Sequence, residues 1–224
     1  MKYSKFLILT ILSSCVLIAA YSQEKQTDKI KASDEVLTSF GEMKEKIPEQ
    51  LYSTTEGIII IPKMINAGFV VAAKRGKGIA IVKNADGDWS NPVFITLTGG
   101  SAGLQAGVQS VELLLLFQKR ETLLNIGKGS FTLGGDISVT AGPVGRNSTA
   151  STDYKLQAEV YSYSRSKGLF AGISLSGSSL SVDEKSNKSF YGKDESAEAI
   201  FQTPKNMKPG ETKQLDHTLA TLFR

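Results

Sequence analysis

The stretch "VELLLLF", Val111 to Phe117, decides what kind of fold this chain can have. From Leu113 to Phe117 it is apolar without a break. Such a run fits either a central strand buried on both faces or a short buried helix. The sequence on either side favours the strand. Ile58 to Ile61 is a β-branched run closed by Pro62. Gly68 to Lys74 and Ile79 to Val82 read as further strands, with Arg75-Gly76-Lys77-Gly78 between them as a turn by composition. Ala85-Asp86-Gly87-Asp88 is a turn signal, and Val93 to Leu97 is another strand. Downstream, Phe131 to Leu133, Ile137 to Ala141, Lys155 to Ser166 and Leu169 to Leu180 continue the β pattern, and Lys119 to Ile126 reads as a short helix ended by Gly127.

Outside residues 57 to 182 the period changes. Ile30, Leu37, Phe40, Met43 and Ile47 recur at three- and four-residue steps, which predicts a helix over Asp28 to Ile47 that stops before Pro48. Glu49 to Thr55 has the length of one more short helical turn. After Val182 the alternation ends. Glu195 to Phe201 and Glu211 to Phe223 read as short helices, and Asp183 to Tyr191 is polar enough for loop or helix. The expected fold is therefore α+β: a curved, largely antiparallel or barrel-like β core (57–182) between an N-terminal helical segment (28–56) and a C-terminal one (183–224).

Glycines support the curvature. "TLTGGSAGLQAG" and "FTLGGDISVTAG" echo one another. Two matches are too few for a repeat, and both read as glycine-kinked strands where layers approach closely.

Residues 1–22 read as a secretory signal. Lys2 and Lys5 precede the apolar Phe6 to Ala20, and Gln23 onward is hydrophilic. Small residues at Ala20 and Ser22 favour cleavage after Ser22. "LSSC", ending at Cys15, is the competing lipobox-like site, which would anchor the chain through an acylated Cys15. Both readings place the domain 23–224 outside the cytoplasm, in a bacterial periplasm or cell envelope. Cys15 is the only cysteine, so the mature domain holds no disulfide and no thiolate site.

Charge is unevenly spread. Residues 23–56 carry 5 basic and 8 acidic side chains, residues 57–182 carry 12 and 7, and residues 183–224 carry 7 and 7. A basic middle suits an anionic partner. The modest net charge of +4 and the export signal point away from nucleic acid.

No enzyme motif is present. The single histidine, His217, lies in the C-terminal helical segment, so no Ser-His or Cys-His device can form in the β region. No His/Cys/Asp cluster has metal spacing, and no cofactor fingerprint occurs. Two carboxylates could do acid–base work. Glu112 sits in the apolar run and reads as a strand residue facing a cation or solvent. Asp136 follows Gly134-Gly135 and reads as a turn residue bonding its own backbone. A hydrolase built on Asp136 and a second acid ranks third among the functional readings.

The candidate site is basic. Lys63, Lys74, Arg75 and Lys77 lie near one set of turns, and Arg146 follows "GPVG". In "YSYSRSK" the parity of a strand puts Tyr161, Tyr163, Arg165 and Lys167 on one face, opposite Leu156, Ala158, Val160, Ser162, Ser164 and Ser166. Two rings beside two cations form a surface for a phosphorylated lipid head: rings at the interface, cations on phosphate. An ordinary solvated strand face is the plainer reading of the same spacing.

"PKMINAGFVVAAKRGKGIAIV", "WSNPVFITLTGGSAGLQAGVQSVELLLLF", "FTLGGDISVTAGPVGRNSTASTD" and "YSRSKGLFAGISLSGSSLSVDEKSNKSFYG" together resemble the SYLF lipid-binding family, from about residue 28 to the end. The resemblance implies a non-catalytic phospholipid binder. Phosphoinositides are typical of eukaryotic members, some fungal members bind and bundle actin, and bacterial members are often exported. Carried over by position, Lys63 fits the "PK" before "AGF", Arg146 closes "GPVGR", and Arg165 and Lys167 fit "YSRSKG". Two departures matter. Ala72-Ala73 stands where members often have Gly-Gly, and residues 23–56 are net acidic where eukaryotic relatives have a cationic helix. Anionic glycerophospholipids are therefore the expected ligand rather than phosphoinositides. The alternative is an interaction module whose basic face meets an acidic protein.

Overall fold

The computed structural model describes residues 24–43, 46–68, 71–102, 107–142, 158–171, 173–204 and 209–224. The signal segment 1–22, with Cys15, lies outside them.

Among the described residues nine strands form one sheet. They are β1 (Gly57–Gly68), β2 (Val71–Val82), β3 (Val93–Ala102), β4 (Gly107–Phe117), β5 (Phe131–Leu133), β6 (Val139–Ala141), β7 (Val160–Ser166), β8 (Leu169–Phe170) and β9 (Ser178–Val182). Their order is β5-β9-β3-β2-β1-β4-β7-β6, with β8 pairing β7. All neighbours are antiparallel except β6 and β7. The two ends of this order, β5 and β6, are joined by residues 134–138 alone. Five residues reach at most about 17 Å, so the edges must curl toward each other and the sheet becomes a nearly closed barrel.

The apolar run Leu113 to Phe117 lies in an interior strand of this sheet. β4 pairs with β1 on one side and β7 on the other. Leu113, Leu115 and Phe117 face a core inside the barrel, with Ile59, Ile61, Val82, Ile95 and Leu180. Leu114 and Leu116 face an outer core, with Ile58, Ile60, Ile79, Ile81 and Phe94. Each of these side chains is essentially inaccessible to water, and full burial of one Leu or Ile contributes about 1.5–3 kcal/mol. No alternation survives in the sequence here because neither face meets solvent.

Helices cover the outer core. Helix α1 (residues 24–42) lays Ile30, Val36, Leu37 and Phe40 on it. Ser33 interrupts the apolar stripe but costs little, because its hydroxyl donates to the Lys29 carbonyl at 2.8 Å. The helix ends at residue 42, short of the predicted Ile47. Ile47 precedes Pro48, which disfavours helical backbone, and α2 (Glu49–Thr54) starts afresh after it. On the C-terminal side, α4 (Glu184–Tyr191) follows α3 (Arg120–Leu124), and α5 (Ala197–Phe201) and α6 (Lys213–Leu222) complete the set. Asp183 and Ser196 cap α4 and α5 by accepting from the Ser186 and Ala199 amides, each at 3.2 Å. The polar stretch left open between loop and helix is therefore α4. Leu123 of α3 and Ile200 and Phe201 of α5 join the inner core.

Two expected boundaries are corrected. Arg75-Gly76-Lys77-Gly78 is not a turn: β2 runs through it as one 12-residue strand. Its glycines are required by close approach. β1 bulges between Ile60 and Lys63, at Pro62, where a residue without an N–H loses no ladder bond. The bulge drives the β1 backbone toward β2. A Cβ on Gly78 would lie 2.0 Å from the Ile60 carbonyl oxygen, and one on Gly76 would lie 2.6 Å from Ile61 Cγ2. The second correction concerns Leu169 to Leu180, which is not one strand. β8 stops at Phe170, and residues 173–177 cross one end of the barrel with Leu175 inserted into the inner core before β9 begins. The two Gly-Gly echoes also differ: Gly99-Gly100 lies within β3, whereas Gly134 (φ +77°) turns the chain after β5.

Candidate functional site

Strand parity, read with the register, sorts every candidate cation. On β2, Ile79 and Ile81 face outward, so Lys77, Arg75 and Ala73 do too, while Lys74 faces the barrel interior. Past the bulge on β1, Met64 faces inward and Lys63 and Ile65 face outward. Lys63 lies directly opposite Lys77, and Ile65 opposite Arg75. The same rows continue to Thr96 and Thr98 on β3 and to Ser181 and Ser179 on β9. The helices cover only the other half of the outer face. Here Lys63, Ala73, Arg75, Lys77 and Thr98 are exposed.

Like charges directly opposite one another repel, and one acid relieves the Lys63–Lys77 pair. Lys77 donates to Asp183 at 2.5 Å, and the Asp183 side chain is only 9% exposed. Burial works to raise the Asp183 carboxyl. Hydrogen bonds from Lys77 and Ser186, together with the Lys77 charge, outweigh it and hold the group below its ordinary value. This carboxylate therefore adds stability that is present above its unfolded value near 4 and fades as pH falls through the lower folded value. Urea midpoints measured from pH 7 to pH 3 are expected to fall at the acid end in the native chain. Asp183→Asn should flatten part of that fall, and an unchanged slope in the variant would show that the pair contributes nothing.

Among the described residues, Lys63, Arg75 and Lys167 make no ion pair. Lys167 occupies a two-residue turn between β7 and β8, with φ +50° followed by Gly168 at φ +80°. Two successive positive φ values make the hairpin turn that matches strand twist.

The tyrosine–cation face is corrected. Parity put Tyr161, Tyr163, Arg165 and Lys167 together; the first three share a face, but it is the face beneath α1, and Lys167 lies past the end of β7 in the turn. Tyr161 and Tyr163 are 3% and 2% exposed. Phe170 stands between them and the helix, its ring centroid 6.1 Å from Tyr163 and 6.0 Å from Phe40. Burial raises the Tyr163 hydroxyl far above its ordinary value. Arg165 lies opposite Glu112 across β4–β7 and pairs with it, its guanidinium 5.7 Å from the Phe40 ring centroid. The pair satisfies both charges, so Glu112 is a strand residue meeting a cation. Lys74 is also corrected. It is 4% exposed, burial lowers its ammonium, and its Nζ donates to the Ser174 carbonyl, pinning the segment that crosses the barrel end. Arg146 lies outside the described residues.

Asp136 fastens a turn by accepting from the Thr132 amide at 2.8 Å. It lines an open depression of about 390 Å³ with Glu121 and Glu159. Asp136 and Glu121 are both exposed to solvent there. Among the described residues no three His, Cys, Asp or Glu side chains gather as metal ligands, and His217 is an exposed residue of α6.

A family model described as "Ysc84: Las17-binding protein actin regulator" matches residues 98–222, more than half of the chain. The chain belongs to the Ysc84 (SYLF) family. Ysc84-type relatives extend the likeness toward the N-terminus. "SH3 domain-containing YSC84-like protein 1" of Xenopus laevis is 32% identical over 195 residues, covering 87% of this chain and 58% of the relative. Its Homo sapiens counterpart is 34% identical over 174 residues, covering 77% and 51%. "LAS seventeen-binding protein 3" of Saccharomyces cerevisiae (strain ATCC 204508 / S288c) is 32% identical over 183 residues, covering 80% and 40%. The chain thus spans about half the length of these curated relatives. The Ysc84 match includes β4, β7, β8 and β9 but begins after Lys63 and Arg75.

The sequence groups Lys63, Lys74, Arg75 and Lys77 near one set of turns; the structure sets Lys63, Arg75 and Lys77 on one outward strand face and turns Lys74 inward. The signal was present: through Ala73 to Gly78, the odd-numbered positions are Ala, Arg and Lys, and the even-numbered positions after Lys74 are glycines. That is a strand pattern with one solvated face.

Proposed function

We propose that this Ysc84-family chain is a non-catalytic binding protein of the bacterial cell envelope, whose uncovered sheet face meets anionic phospholipid. The observation that carries the reading is the outward placement of Lys63 and Arg75 on adjacent strands, exposed to solvent, with Lys77 beside them and no helix of the described residues over them. Residues 1–22 supply the export signal, with Cys15 as an alternative anchor. Each exposed cation near an anionic bilayer is worth roughly 1 kcal/mol. Lys63 and Arg75 together then contribute about 2 kcal/mol, roughly thirtyfold in affinity.

Co-sedimentation with vesicles tests this. The protein should pellet with phosphatidylglycerol-containing vesicles at low salt and not with neutral ones. Lys63→Ala/Arg75→Ala should bind roughly thirtyfold more weakly, and salt should weaken native binding within the same range. Equal pelleting with neutral and anionic vesicles would end the reading.

The family description and the name of the yeast relative favour a second reading, in which the same face meets a protein. Binding to an acidic protein that persists at high salt, with no vesicle pelleting, would select it.

A further inference from the structure

The inward side of the strands that carry the outward cations has a polar row of its own. By register, Ser178 on β9, Gly99 on β3, Lys74 on β2, Asn66 on β1 and Gln109 on β4 lie side by side across the barrel interior. Two residues along each strand, the neighbouring inward row is Leu180, Leu97, Gly76, Met64 and Val111. Its four side chains all belong to the inner core. The polar row therefore caps that core.

Three members of the row lack what burial demands. Lys74 is 4% exposed, its Nζ donates to the Ser174 carbonyl, and among the described residues no carboxylate pairs with it. Ser178 is fully buried, and among the described residues its Oγ has no hydrogen-bond partner. The same holds for the buried Oδ1 of Asn66. These groups are close. Ser178 Oγ leans into the space that Gly99 leaves, 2.6 Å from where a Gly99 Cβ would stand. Hydroxyl, ammonium and amide thus occupy successive positions over β3, β2 and β1, about 5 Å apart.

A buried cation without a counter-charge costs stability. A water would meet the hydrogen bonds here but not the charge. The row holds no carboxylate. It offers a lysine ammonium, a serine hydroxyl and, after a half-turn of its amide, the Asn66 Nδ2. Three donors and one positive charge across roughly 10 Å suit a single tetrahedral oxyanion.

We propose that this row binds one phosphate group, whose oxygen replaces the Ser174 carbonyl as the partner of Lys74 while Ser178 and Asn66 donate to its other oxygens. Segment 173–177 is the cover that lifts to admit it. The site lies on the opposite side of β1 and β2 from Lys63, Arg75 and Lys77, so it does not rest on the reading of that face. A free phosphate and a phospholipid head offer the same chemistry, and the test separates them.

Urea midpoints of the native chain, Lys74→Met and Ser178→Ala are compared in potassium phosphate and in potassium chloride of equal ionic strength. Phosphate also stabilises proteins generally, by exclusion from their surface. That effect acts on all three proteins and does not saturate. The native chain should show an additional, saturable upward shift that both variants lose. A residue that only pins the segment would leave this response unchanged. If Lys74→Met does not fold, Ser178→Ala decides, because it removes only an unpartnered hydroxyl. Equal shifts in all three proteins overturn the proposal and leave the row to water, whatever vesicles show. Where the response is lost, pelleting with phosphatidylglycerol vesicles assigns the source. Binding of Lys74→Met weakened roughly fivefold, the worth of one cation, means a lipid head, and unchanged binding means a soluble phosphate. Failure of the native chain to pellet removes the phospholipid reading alone.

Discussion

Gly78→Ala should destabilise the chain by about 3 kcal/mol or more, the largest effect of any one-methyl change proposed for it. The added Cβ would stand 2.0 Å from the Ile60 carbonyl oxygen and 2.9 Å from Ile61 Cα. These are backbone atoms of β1 at its bulge, in a strand paired with β2 on one side and β4 on the other, so they cannot move far without shifting the register with β2 or β4. Gly87→Ala is the control. Gly87 has φ +86° and no neighbour within 4 Å of its added Cβ, so only the left-handed backbone is penalised, by about 1 kcal/mol. Urea denaturation of the two variants separates the effects. A Gly78→Ala midpoint equal to that of Gly87→Ala would mean that β1 does not bulge toward β2 as described.

Tyr163→Ala should cost about 3–4 kcal/mol, as for other buried aromatic truncations. Tyr163 is 2% exposed, and its ring lies against Phe170 on one side. On the other side, a Cβ on Gly142 would fall 2.0 Å from the Tyr163 Cζ atom. The phenol thus occupies space that the "TAG" glycine leaves empty. Removing the ring should lower the denaturation midpoint sharply while leaving the vesicle affinity of the folded fraction unchanged. Lys63→Ala/Arg75→Ala should do the reverse. A Tyr163→Ala protein with native stability and weakened vesicle binding would return the tyrosine to the membrane surface.

The contrast shows where sequence reading stopped. Parity put Tyr161, Tyr163, Arg165 and Lys167 on one face; the first three share it, because side chains alternate in any strand, while Lys167 lies beyond the end of β7 in the turn. It could not say which face meets solvent. Two tyrosines and an arginine are amphipathic, and they serve equally well at a membrane or beneath a helix. The decision was made by Phe40, some 120 residues away in the chain, whose helix covers that face. Lys74 failed for a related reason. A lysine beside Arg75 and Lys77 reads as part of a basic cluster, but the next residue along a strand points the other way. There the carbonyl of Ser174 holds its ammonium inside.

Glycine misled in the opposite direction. Arg75-Gly76-Lys77-Gly78 has the composition of a turn, since glycine and charge are what turns contain. In β2 the glycines are small because β1 comes too close for any side chain, and that closeness comes from a bulge at Pro62 on the neighbouring strand. The meaning of Gly78 is thus written at Pro62, and only the pairing of β1 with β2 joins them.

By itself the sequence determined the quantities that depend on local period and composition. These were a helical N-terminal segment, a β core built around Leu113 to Phe117, short C-terminal helices, a basic middle and the motifs of the family. Only the tertiary structure decided which side of each strand is wet, because burial depends on what distant segments lie against it. A strand carries its alternation with it, but it acquires an inside and an outside only when a barrel closes and a helix settles on half of it.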